Sequence, residues 1–333
     1  MKKRLTILLI VIAALLFTCS CGKGVEKPAG HMRDAEVIIT DVDTAAAEAE
    51  YLCNPNSILN VPTQMKKLGD TYFIVDCYNN QVIYSDNPTA PLYSWRLMTS
   101  DINMGHTIAS DGTVYLVDDT ENNRVLVFEK RDDNFVESQV LNEIGNRPHY
   151  IVYNEANETF YVWSSMTGEM YLMCRDEKSN TMYIADVLKI DALDGVYVRS
   201  FTIVDDEILF VSGNCCIIKA GLEQFDVREI YQVPESISGM VQIMPVEDKY
   251  LITVSTDFAG DQSYATIIQA DSLEGLIDGE YEDVYSNFVG GGTPYYMTEN
   301  EGVYYLTEHR IPGHSVWSFE FRDGKICNVQ ALH

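Results

Sequence analysis

Two histidines and two arginines stand at comparable points of the chain. His106 precedes Thr107-Ile108, His149 precedes Tyr150-Ile151, Arg147 lies two residues ahead of His149, and Arg199 precedes Ser200-Phe201. Each introduces a short apolar run. A neutral imidazole can serve as a general base, and a guanidinium grips a carboxylate through two parallel N–H bonds. Gln64, Gln242 and Tyr295 open three further runs of the same kind, and Ser200 is the alternative to Arg199 at its position. Brought together, these side chains suit an anionic or glycan ligand, such as a sugar carrying uronic acids. With His106 or His149 as base and Arg147 or Arg199 as charge clamps, they also suit a lyase or hydrolase acting on an acidic carbohydrate. Two histidines with no carboxylate beside them make an incomplete metal site, so neither a metal nor another cofactor is expected.

Other chemical signals are weak. The chain has no Gly-x-Ser-x-Gly and no His-Glu-x-x-His. Gly290-Gly291-Gly292 reads as a turn, because no helix follows it to cradle a phosphate. The acidic pairs Asp118-Asp119, Asp132-Asp133 and Asp205-Asp206 fall in expected turns and read as solvated tips. Trp95, Trp163 and Trp317 read as packing residues. With 50 acidic against 23 basic residues, the net charge of −27 excludes a nucleic-acid surface, which needs stripes of Lys and Arg.

What must position the candidate residues is a repeat. Apolar cores begin at Tyr72, Val114, Phe160, Ile208, Tyr250 and Val303, at intervals of 42, 46, 48, 42 and 53 residues. A strand-like run precedes each core, another follows it, and a fourth is usually visible, as in Phe135 to Leu141. Such spacing matches a four-stranded propeller blade. Six units of this kind predict an all-β fold, a six-bladed β-propeller of four-stranded antiparallel blades, with a pair of β-sandwiches as the competing arrangement. The long last interval contains Ser272 to Ile277, expected as one helical turn.

The clearest unit is Ser110 to Lys130, SDGTVYLVDDTENNRVLVFEK: a glycine turn, a strand ending in Asp, then Asn-Asn-Arg-Val and another strand. It resembles one NHL repeat, a family that folds as a β-propeller with one blade per repeat. Asp76-Cys77-Tyr78-Asn79-Asn80-Gln81-Val82 keeps the pattern, with Gln in place of Arg. The other units share only its spacing. The resemblance implies an interaction platform, open to a protein partner across its flat face. Gluconolactonase-like propellers hold a divalent metal through Glu, Asn and Asp at the channel mouth, whereas the aligned positions here are not acidic.

The first residues read as an export signal. Lys2, Lys3 and Arg4 precede an apolar run from Leu5 to Phe17, too short to span a membrane comfortably. Leu16-Phe17-Thr18-Cys19-Ser20-Cys21 then resembles a bacterial lipobox, with Cys21 as the lipidated residue and Cys19 as its alternative. The expected organisation is a signal over 1–21, a tether with a short helix over 22–56, and the propeller over 57–333. That arrangement predicts an outward-facing protein held at the cell membrane by a lipid anchor. Glu36 to Thr40 is expected as an edge strand that helps close the last blade, and the six remaining cysteines as buried free thiols.

Overall fold

The computed structural model describes residues 36–43, 45, 52–311 and 313–333. The expected signal, both lipidation candidates and most of the expected helix at Thr44 to Leu52 lie outside them. No helix among the described residues is long and apolar enough to cross a membrane.

Six antiparallel sheets form a closed ring, a six-bladed β-propeller. Each blade is drawn from one continuous stretch of chain: 62–99, 108–141, 148–189, 198–232, 240–283 and 293–331. The second strand of each blade reads as an unbroken apolar run because neighbouring blades cover both its faces. Val114–Asp119, for example, is buried at every position. Between the second and third strands of blades one and two the chain turns through Asn80 and Asn123, both left-handed with φ of 51° and 53°. Asparagine tolerates that conformation better than most residues, which gives the Asn-Asn pairs their place. The helical turn forms at Leu273–Ile277, capped by the Ser272 side chain.

The ring closes without exchanging strands. Thr298 Oγ1 of blade six donates to the Met65 carbonyl at 2.6 Å, and Thr307 Oγ1 to the Thr63 carbonyl at 2.7 Å. The early edge strand, Val37–Ile39, goes elsewhere: it pairs with Gln139 to Leu141 and gives blade two a fifth strand. The expectation that it helps close the last blade is therefore corrected. Blade six already carries its own outer strand, Lys325–Ala331, and the early strand adds instead to the outer strand of blade two, Asn134–Leu141. Residues 52–56 also pack on blade one, where Cys53 bridges Arg96 and the buried Asn54 side chain donates to the Leu92 carbonyl.

Candidate functional site

The innermost strands carry the site through a repeated irregularity. In five blades this strand bulges against its neighbour, between Pro62 and Gln64, Pro148 and Tyr150, Val198 and Ser200, Met240 and Gln242, and Pro294 and Met297. A bulge places one extra residue against the partner strand and re-aims its side chain. The bulged residues include Thr63, His149, Arg199 and Tyr295, which gather at one mouth of the channel. Thr63, Arg199 and Tyr295 line a cavity of 670 Å³ there, together with His106, Arg147, His309 and Arg310.

His106 is placed by a buried acid. Asp118 accepts the backbone N–H of His106 at 2.9 Å and both the N–H and the hydroxyl of Thr107 at 2.6 Å. Gly105 lets the chain approach this closely, since a Cβ there would stand 2.7 Å from the Asp118 carbonyl oxygen. Thr120 Oγ1 lies 2.9 Å from both His106 Nδ1 and Asp118 Oδ2. Asp118 and Asp119 are thus not the solvated tips expected from sequence. Asp119 accepts from the Asn103 N–H at 2.7 Å and pairs with Arg124 at 2.5 Å. Both acids are wholly buried because they end a strand whose polar groups must be satisfied internally. Asp132-Asp133 and Asp205-Asp206 do sit exposed in turns.

His149 lies behind His106, fully buried, with ring centroids 3.7 Å apart. Its Nε2 stands 2.7 Å from the Tyr197 hydroxyl and its Nδ1 3.3 Å from that of Tyr296. Burial pulls the His106 imidazole down to about 3, and the Arg147 and Arg199 charges act the same way. Burial and the neighbouring His106 hold His149 well below its ordinary value. Both rings are neutral at pH 7. His106 Nε2 faces the Cys77 thiol at 3.8 Å, so every ring nitrogen of the pair has a neighbour.

Gln64 and Gln242 stand one residue beyond the bulges and bind neighbouring blades. The Gln64 amide oxygen accepts from Ile108 N at 2.8 Å. The Gln242 amide accepts from Met297 N at 2.6 Å, and donates to the Met297 carbonyl and the Tyr150 hydroxyl at 2.9 Å each. Neither lines the cavity. Ser200 occupies the same register and donates to the Val241 carbonyl at 2.6 Å, so of the two alternatives Arg199 is the one that faces the opening.

The charge of the cavity differs from that of the rest of the chain. Its lining includes three arginines and no Asp or Glu. Arg147 is already paired with Glu121. Arg199 donates to Ser255 Oγ at 2.7 Å and lies over the Tyr197 ring at 5.4 Å. Arg310 donates to the Gln262 side chain at 3.1 Å and to the Gly292 carbonyl at 2.6 Å. Among the described residues neither Arg199 nor Arg310 pairs with a carboxylate. Both charges act on His309, whose imidazole is drawn down to about 4 by burial and then by both guanidinium groups. Its Nε2 is buried without a hydrogen-bond partner, as is Arg147 Nε.

His309, Arg310, Tyr197 and Ser255 were not among the residues expected from sequence. His309 closes the second strand of blade six, Val303–His309, and Ser255 directly follows that of blade five, Lys249–Val254. Cys77 directly follows the corresponding strand of blade one, Thr71–Asp76, so this strand end was the signal that could have found His309 and Ser255. No group of three or more His, Cys, Asp or Glu residues among the described residues could hold a metal ion.

No protein-family model matches the chain, and no curated protein matches it in sequence. Solved structures match its fold. A catalytically inactive virginiamycin B lyase from Staphylococcus aureus, with a histidine changed to alanine and in complex with quinupristin, superimposes with a TM-score of 0.57 and 13% identity over 83% of this chain and 86% of that one. A candidate 6-phosphogluconolactonase from Bacteroides fragilis gives 0.56 and 10% identity over 80% and 83%. The hydrazine synthase of Kuenenia stuttgartiensis gives 0.55 and 15% identity over 79% and 77%. At these identities the likeness is one of fold.

Proposed function

We propose that this propeller is a binding protein that takes a small organic anion into the mouth of its channel, between Arg199 and Arg310. One observation carries this reading: two guanidinium groups without carboxylate partners line one cavity free of acidic residues, in a chain of net charge −27. Guanidinium groups held together repel each other until an anion lies between them, and they match oxyanions in bidentate geometry. A thermal-shift and calorimetric panel of organic acids against their neutral amides tests it. Acids should bind and amides should not, and Arg199→Ala should weaken binding about tenfold or more, the loss of one charge-assisted contact. Equal binding of acids and amides would overturn the reading. The protein is further proposed to face outward from a membrane, anchored by lipid on Cys21 or Cys19, and the mass of the native N-terminus decides that.

A second reading, acid–base catalysis on the bound anion as by a lyase, is favoured by His309. Its Nε2 has no partner, and its low pKa leaves it neutral and able to accept a proton. His106 and His149 serve this role less well, since their ring nitrogens already face Thr120, Cys77, Tyr197 and Tyr296. Virginiamycin B lyase, whose variant is inactivated by loss of a histidine, supports the reading by fold analogy only. If a bound anion is turned over, His309→Ala should abolish turnover and leave binding in place. The NHL resemblance remains a proposal confined to the first two blades, and the protein-partner role it implies rests on nothing else.

A further inference from the structure

The cavity wall is divided by chemistry as well as by blade. Arg199 belongs to blade four, its partner Ser255 follows the second strand of blade five, and Arg310, of blade six, leans on Gln262 of blade five. In a ring of six, blades four and five lie across the mouth from blades one and two, and blade six stands beside blade one. On the side of blades one and two, Ile58, Leu59, Val61, Tyr78 and Met104 line the cavity, with Asn60, Thr63 and His106 as its polar members. Two of these are large apolar side chains turned outward, Ile58 at 68% exposure and Tyr78 at 55%.

The apolar wall is held in place. Asn79 Nδ2 donates to the Ile58 carbonyl at 3.0 Å and to Asp76 at 2.6 Å, while Asp76 accepts the Asn60 N–H at 2.7 Å. The N–H groups of Cys77 and Tyr78 return to the carbonyls of Val61 and Asn60. A segment tied at so many points keeps its side chains where they are, so Ile58 and Tyr78 are presented to solvent at the cavity rim.

We infer that the ligand is an amphiphilic anion, an acidic group on an apolar or aromatic body, lying across the channel mouth with its charge on blades four to six and its body on blades one and two. The inference rests on the anion-binding reading above and narrows it away from sugars. A glycan would set its hydroxyl groups against Ile58, Leu59, Val61 and Met104, where only a few polar atoms, those of Asn60, Thr63, Tyr78 and His106, stand nearby.

Three probes test it on the full chain: anilinonaphthalene sulfonate, its uncharged parent phenylnaphthylamine, and glucuronate, which carries the charge without the apolar body. The sulfonate should bind at a single site, about tenfold or more tighter than either of the others. Arg199→Ala and Arg310→Ala should each weaken it about tenfold, and Ile58→Ser about fivefold. Arg310 and Ile58 are exposed, so their variants carry the test even if Arg199→Ala fails to fold. If glucuronate binds in an arginine-dependent way while the sulfonate does not, or binds regardless of Ile58→Ser, the amphiphile inference falls and the anion reading stands. If no anion responds to either arginine substitution, both fall.

Discussion

His106 and His149 lie ring over ring, 3.7 Å apart and inclined by 40°, although they belong to different blades. Burial opposes a charge on either ring. In the unfolded chain each titrates near the ordinary value of about 6.5. In the native protein His106 accepts a proton only near 3, and His149 also titrates well below that ordinary value. Below about pH 6.5 the unfolded chain therefore holds protons that the native state refuses, and stability falls as pH falls until His106 itself titrates. Each such histidine contributes a slope of about 1.4 kcal/mol per pH unit. Asp118, whose carboxyl is raised by burial, acts in the opposite sense. Denaturant unfolding of His106→Gln between about pH 6 and 4 should show a shallower loss than the parent by about that slope. An unchanged slope would mean that His106 is protonated in the native protein.

Asp118→Ala should destabilise more than any substitution in the cavity wall. It strands two backbone N–H groups and two hydroxyls that now converge on one carboxylate, at a cost of about 3 kcal/mol or more. Asp118→Asn keeps the shape and should lose less. Urea midpoints of the two variants decide it, and equal midpoints would argue that charge, not hydrogen bonding, makes this residue matter.

Gln64→Leu and Gln242→Leu should each lower stability by about 1–3 kcal/mol, because Ile108 N and Met297 N lose their acceptors between blades. Affinity for the anion should not change, since neither side chain lines the cavity. A variant that binds tenfold worse while melting normally would return that glutamine to the site.

Thiol reactivity should follow burial. Cys53 is exposed, whereas Cys77 is buried at the cavity floor, its thiol pushed up by burial and by the charges of Asp118 and Asp76. Maleimide labelling read by peptide mass should modify Cys53 in the native protein and reach Cys77 only on unfolding. Rapid labelling of Cys77 would show that the cavity floor opens.

The blades were legible because a buried strand is written locally: runs such as VYLVD and FYVWS are followed by turn residues at a steady interval. The outer strands Arg96–Thr99, Val227–Gln232 and Glu282–Asp283 escaped because solvent on their outer side leaves no apolar pattern to read. At the site, the first strands pointed to His106, His149 and Arg199, which do meet at the channel mouth. Which neighbour faces the opening depends on the bulges, and a one-residue bulge leaves no mark in the spacing. Hence Gln64 and Gln242 were aligned with Arg199 although they sit one step past it. Arg310 was missed because it follows a second strand and is positioned through Gly292, a contact no periodicity predicts.

Closure without strand exchange also bears on the order of assembly. Each sheet is complete within its own stretch of chain, so blades can form one after another in chain order. The ring itself must wait. The bond from Thr298 to Met65 joins residues 233 positions apart, so blade one stands with an uncovered face until blade six arrives. Loss of the last blade would leave that face open.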